Sequence, residues 1–98
     1  MATPEKKVKE TVKAILKEYG AYFFMPPANG LGRSGIPDLI GCYKGKFFAV
    51  ECKAGTNTTT PLQDRELDAI RGASGAAIVV NENNVGDVRK MMVWLENL

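Results

Sequence analysis

Histidine is absent from this 98-residue sequence. Its absence removes imidazole acid–base catalysis, every catalytic triad that uses histidine, and the usual zinc sites. Cysteine is scarce, with Cys42 and Cys52 alone. No signal-like apolar segment follows Met1, so the expectation is two reduced, mostly buried thiols in a cytoplasmic protein. No apolar run approaches the ~20 residues needed to span a membrane. Charge of one sign is also lacking: 13 Lys and Arg stand against 11 Asp and Glu, a net charge of +2. That balance does not choose a partner. Nucleic-acid binding would require the basic residues to be gathered on one surface. Internal repeats, low-complexity tracts and interdomain linkers are missing as well.

What remains is an ordinary globular composition, 45% hydrophobic, which fits one domain over residues 1–98. A chain this short buries a moderate core, and an oligomer would suit it. The first helix is marked by Thr3 as cap, Pro4 at the first position and Glu5 near the positive end of the dipole. Val8, Val12, Ile15, Leu16 and Tyr19 form its apolar stripe, and Gly20 ends it. Lys6, Lys9, Lys13 and Lys17 fall largely off that stripe as a basic outer face. Ala21–Met25 reads as a short aromatic strand. Pro26–Gly35, with its prolines and glycines, reads as a long loop. In it Arg33, Ser34 and the glycine amides are placed to contact a phosphate.

Two apolar strands follow, joined at Lys44-Gly45. If those residues form a two-residue hairpin loop, Tyr43 faces Lys46, Ile40 faces Ala49 and Asp38 faces Glu51. Leu39, Phe48, Val50 and Cys52 then line one face, and Ile40, Cys42, Phe47 and Ala49 the other, which calls for helices on both sides. Cys42 and Cys52 lie on opposite faces and should not bridge. Thr60-Pro61-Leu62-Gln63 opens a second helix that runs to about Arg71 and ends at Gly72. Ala76–Val80 is a buried strand. Asn84 is expected to cap a last helix with Val85, Val88, Met92 and Leu95 on one face. The fold class is therefore α/β, in the order α-β-β-β-α-β-α.

The chemistry gathers on the hairpin. Opposed side chains have Cβ atoms about 5 Å apart, where like charges repel, and Lys53 projects from the same face as Glu51. Two carboxylates and an ammonium on an apolar hairpin are costly unless something binds between them. Hard oxygen ligands suit Mg²⁺, with Mn²⁺ substituting, rather than zinc. A metal there would neutralise the acids, activate water and orient a phosphodiester for in-line attack. Lys53 would hold the attacking water or stabilise charge on phosphorus. Without histidine, metal and lysine must take over the work of a general base.

Asp38 followed by Glu51-Cys52-Lys53 matches the PD-(D/E)xK nuclease signature. More narrowly, Gly35-Ile36-Pro37-Asp38-Leu39-Ile40, Val50-Glu51-Cys52-Lys53-Ala54-Gly55 and Thr60-Pro61-Leu62-Gln63 resemble the VRR-NUC family, over residues 5–80. That resemblance implies a restriction-endonuclease-like core with a central mixed sheet flanked by helices. It implies Asp38, Glu51 and the backbone carbonyl of Cys52 as metal ligands, Lys53 as the catalytic lysine, and Gln63 near the active site. Gln63 equally suits a capping box with Thr60. Of the first-helix acids, Glu5 lies at the edge of the apolar stripe and Glu10 roughly opposite it, so Glu5 is the choice. Small stand-alone members of the family resemble Holliday-junction resolvases and act as homodimers. The expectation is thus a Mg²⁺-dependent DNA endonuclease on branched or junction DNA, homodimeric, in the cytoplasm (the host's if phage-encoded). Arg33, Ser34, Lys13 and Lys17 would contact nucleic acid. A flap-, nick- or end-directed nuclease, and a silent DNA-binding module of the same fold, are the alternatives. For the dimer surface, the candidates are the last helix with Met91, Met92 and Trp94, or the strand from Tyr22 to Met25.

Overall fold

Capping and turn chemistry set the element boundaries. The Thr3 hydroxyl accepts from the Lys6 N–H at 3.2 Å and Pro4 takes the first helical position, where a missing N–H costs nothing. A computed structural model describes residues 2–27 and 33–98. Its elements are α1 (Pro4–Glu18), β1 (Tyr22–Phe24), β2 (Leu39–Tyr43), β3 (Lys46–Cys52), α2 (Pro61–Gly72), β4 (Ala76–Val80) and α3 (Asp87–Glu96). The order is the expected one. Residues 28–32, which include Gly30 and Gly32 of the expected phosphate-binding loop, lie outside the described residues.

The strands form one mixed sheet in the order β1-β2-β3-β4, with β4 parallel to β3 and the other pairs antiparallel. Lys44 and Gly45 have φ of 53° and 80°, positive at both central positions, as the tightest hairpin turn requires. The register follows from that turn: Tyr43 pairs with Lys46, Ile40 with Ala49 and Leu39 with Val50. β2 begins at Leu39, so Asp38 stands in the bend just before it, at the position that continues the pairing opposite Glu51.

Side-chain alternation sends the two halves of each strand into different cores. Leu39, Phe48, Val50 and Cys52 pack with Val8, Val12, Ile15 and Leu16 of α1 and Val88, Met92 and Leu95 of α3. Ala49, Ala77 and partly buried Ile40 pack with Leu67 of α2 on the other face. Helices therefore cover both faces, but α2 lies over β3 and β4. The β1–β2 half of its face is less covered by the described residues, and Cys42 is exposed there rather than buried. No helix among the described residues is long and apolar enough to cross a membrane.

Two local expectations are corrected. Asn84 does not cap α3; Gly86 holds that position without a side-chain bond. The Asn84 side chain instead accepts from the Asn81 N–H at 2.6 Å and donates to the Val79 carbonyl at 3.2 Å, closing the turn that leaves β4. Met91 and Met92 are both buried, because α3 packs against both α1 and the sheet, and they leave Val93 and Trp94 as its outer apolar residues. α2 ends at Gly72, as expected, and the left-handed position that follows falls on Ser74, with φ of 70°.

Gly35 ties the segment before Asp38 to the start of α2. A Cβ there would meet the Leu62 carbonyl oxygen at 2.4 Å, and the residue has φ of +84°. Gly35→Ala should lower the melting temperature by on the order of 10 °C through overpacking and backbone strain. Ser74→Gly should raise it by a few degrees, about 0.5–1 kcal/mol, by removing left-handed strain from a side-chain-bearing residue. Thermal unfolding followed by circular dichroism checks both, and a Gly35→Ala protein melting with wild type would remove the close approach as a constraint.

Candidate active site

The hairpin arms end where β3 meets β4. Asp38 Oδ2 accepts from the Cys52 N–H at 2.9 Å, which fixes the bend before β2 against the last residue of β3. Cys52 offers this site only backbone, since its side chain lies in the core beneath α1 and α3. Burial first, then the Asp38 and Glu51 charges, push that thiol up to about 12, so it stays neutral. The Lys53 N–H bonds to the Val80 carbonyl at 2.9 Å, carrying the β3–β4 pairing one residue further and aiming Lys53 to the Glu51 side.

Glu51 is 3% exposed. Its Oε2 lies 3.5 Å from Lys53 Nζ and accepts from Gln63 Nε2 at 3.2 Å. Its Oε1 is buried and has no hydrogen-bond partner among the described residues. Burial raises the Glu51 pKa to about 7, the Asp38 charge adds to the rise, and Lys53 opposes it. Gln63 performs two tasks with one amide: its oxygen accepts from the Thr60 N–H at 3.0 Å to complete the capping box, and its nitrogen reaches Glu51.

From α1, Lys9 Nζ lies 3.5 Å from Asp38 Oδ1 and 3.5 Å from Glu5 Oε2. Partial burial would lower the Lys9 pKa, but the charges of Asp38 and then Glu5 outweigh it and raise it. The structure thus gathers Asp38, Glu51, Cys52, Lys53 and Gln63 directly, and Glu5 through Lys9. Glu10 instead pairs with Lys13 at 3.1 Å.

No family model matches the sequence. A curated protein from Acyrthosiphon pisum secondary endosymbiont phage 1, described as "Putative nuclease p44", is 34% identical over 82 residues, which cover 82% of this chain and 84% of that protein. A solved structure described as "VRR_NUC domain" aligns with a TM-score of 0.72 at 24% identity, covering 91% of this chain and 97% of its own. The chain belongs to the family of that phage protein, and its fold is that of a VRR-NUC domain.

Two charged contacts of this VRR-NUC fold escaped sequence reasoning. By periodicity Lys9 belongs with the outer lysines, yet it reaches into the site; its i,i+4 spacing from Glu5, which makes the two neighbours on a helix, is the signal the sequence holds. Glu66, buried on the inner side of α2, pairs with Arg33 at 3.4 Å, so one cation expected to meet phosphate is engaged with a carboxylate of its own chain. Ser34 is exposed in the turn after it. Lys13 stands one turn beyond Lys9. Lys17 stands roughly 18 Å along the axis from Glu5 at a rise of about 1.5 Å per residue, outside the group.

The donor set fits a divalent cation. A buried carboxylate oxygen without a partner, next to a second carboxylate and already short of hydration, is the kind of group that a hard cation completes. The same burial sets a pH signature. Below about pH 4.5 Glu51 is protonated folded and unfolded alike. As pH rises from there to about 7, the unfolded carboxyl ionises while the folded one keeps its proton, so stability falls across that window. Between pH 4.5 and 7.5, the stability of Glu51→Gln relative to wild type should therefore improve by on the order of 2–3 kcal/mol. Urea unfolding at the two pH values measures this, and a pH-independent difference would remove the buried ionisation.

Proposed function

We propose that this VRR-NUC chain is a Mg²⁺-dependent DNA endonuclease, with Mn²⁺ able to substitute, that hydrolyses phosphodiester bonds in branched DNA such as Holliday junctions as a homodimer. The observation that carries the reading is the buried Oε1 of Glu51 beside Asp38, without a partner among the described residues, with Lys53 against the same carboxylate. A structural ion pair would satisfy both oxygens; a ligand set leaves one open. Asp38, Glu51 and the Cys52 carbonyl would hold the ion. Among the described residues no three His, Cys, Asp or Glu side chains cluster as a metal site; few protein ligands suit Mg²⁺, which keeps several waters and takes phosphate oxygens. When bound, the ion neutralises the acids and lowers the pKa of water.

The chain's own residues do the rest. Gln63 fixes the orientation of Glu51 from the rigid start of α2. Lys53, 13% exposed at its side chain, carries a positive charge into a place of low dielectric, where it stabilises negative charge developing on phosphorus or holds the attacking water. Glu5 steadies the α1 side of the site through Lys9. Ser34 and Lys13 take phosphates flanking the cut, Arg33 does so on leaving Glu66, and Lys17 meets DNA farther along α1. Two free thiols on opposite faces of the sheet suit a reducing cytoplasm, the host's if the chain is phage-encoded.

For the homodimer, the supporting feature is the β1–β2 half of the α2 face. Tyr22, Phe24 and Phe47 are 69%, 46% and 45% exposed, and by register they share that face with Cys42 and Ile40. Pairing such a face across a two-fold axis would set two sites against two strands of one junction.

Incubating the protein with labelled duplex, flap, splayed-arm and four-way-junction DNA, with Mg²⁺, Mn²⁺ or chelator, tests the activity. The expected result is metal-dependent internal cutting that favours the junction. Metal-independent binding without cleavage would leave a DNA-binding module, and cutting confined to flaps, nicks or ends would replace the junction preference. Lys53→Ala should lose cleavage by at least about a hundredfold, the range of one preorganised charge, while still binding DNA; an active variant would remove Lys53 from the mechanism. Phe24→Glu should shift sedimentation at micromolar concentration from dimer to monomer, and an unchanged dimer would move the interface elsewhere.

A further inference from the structure

The two oxygens of Asp38 are used differently. Oδ2 is held by the Cys52 amide, whereas Oδ1 faces the Lys9 ammonium at 3.5 Å. Lys9 is a helical neighbour of Glu5, 3.5 Å from that carboxylate as well, and its side chain is 23% exposed. If it releases Asp38, the i,i+4 partner keeps it at the rim of the site. An ammonium and a divalent ion compete for the same carboxylate oxygen, because both are cations and Oδ1 cannot serve them equally.

We propose that Lys9 is a positioning residue that acts as the site's resident counter-ion: it holds Asp38 Oδ1 until a metal displaces it, and so weakens metal binding. This rests on the reading of Asp38 and Glu51 as metal ligands. Lys9 keeps two acids ordered and the site charge-balanced without metal, and metal entry requires the ammonium to move toward Glu5. A unit charge a few ångströms from a divalent cation, even in a water-like dielectric, corresponds to about tenfold in affinity.

Titration of the DNA-free protein with Mn²⁺ by calorimetry tests this. Lys9→Met should bind Mn²⁺ about tenfold more tightly than wild type, and Lys9→Arg, which keeps the charge, should stay near wild type. Lys9→Gln serves if the Met variant does not fold, with circular dichroism confirming structure in each. A neutral variant that is folded and binds Mn²⁺ no more tightly than wild type overturns the proposal, and is the result expected of a merely structural ion pair. The reading beneath it fails differently: wild type, Lys9→Met and Asp38→Asn would all show no Mn²⁺ binding, and the proposal would fall with it.

Discussion

A carboxylate that is 3% exposed at the end of an apolar strand has lost most of its water, and that loss must be offset by charges and donors brought from elsewhere in the chain. Around Glu51 the fold supplies an ammonium two residues further along the chain, an amide from the first turn of α2, and, among the described residues, nothing for the remaining oxygen. Asp38, across the hairpin, makes the problem worse rather than better, and a third element, α1, contributes Lys9 against it. The elements that converge here share little else. What they share is the charge of one acid pair, Glu51 buried and Asp38 partly exposed.

This dependence explains why several local devices carry more than local weight. The capping box at Thr60 and Gln63 would serve any helix, yet here the same amide that completes it also holds Glu51. The close approach of Gly35 to the Leu62 backbone joins the segment entering β2 to the beginning of α2, so both walls of the site rest on one contact. A loose helix start would cost a fraction of stability in most proteins; in this one it would also release the orientation of an acid.

The hairpin was legible because a two-residue turn fixes register and the side-chain period of a strand is two, so Lys44 and Gly45 sufficed to set Asp38 against Glu51. The stripe of α1 and the capping signal of Thr60 were legible for the same reason: periodic or local rules decide them. Lys9 was not. Its partner on α1 is visible at i,i+4, but its contact with Asp38 depends on the height at which α1 crosses the sheet. Asn84 looked like a cap because an Asn that closes a turn and an Asn that starts a helix make the same local bonds. Cys42 and Met91 were misplaced by coverage: α2 leaves half of its face open, and α3 buries more than a single stripe. The pairing of Arg33 with buried Glu66 likewise needed the packed structure, since a lone Glu on a helix gives no sign of which way it points.

The hairpin also makes the site sensitive to parity. Residues added at the Lys44-Gly45 tip can be taken up by a longer loop with the pairing intact. A residue added within either arm, between Asp38 and Tyr43 or between Lys46 and Glu51, turns one carboxylate to the opposite side of the sheet, among Leu39, Phe48 and Val50, unless a bulge absorbs it. An even step in one arm keeps the face but slides that carboxylate about 7 Å from its partner, so the arms must change length together, whereas the tip can take any step. What the acid pair tolerates is set by where a residue is added and by its parity, not by the number of residues alone.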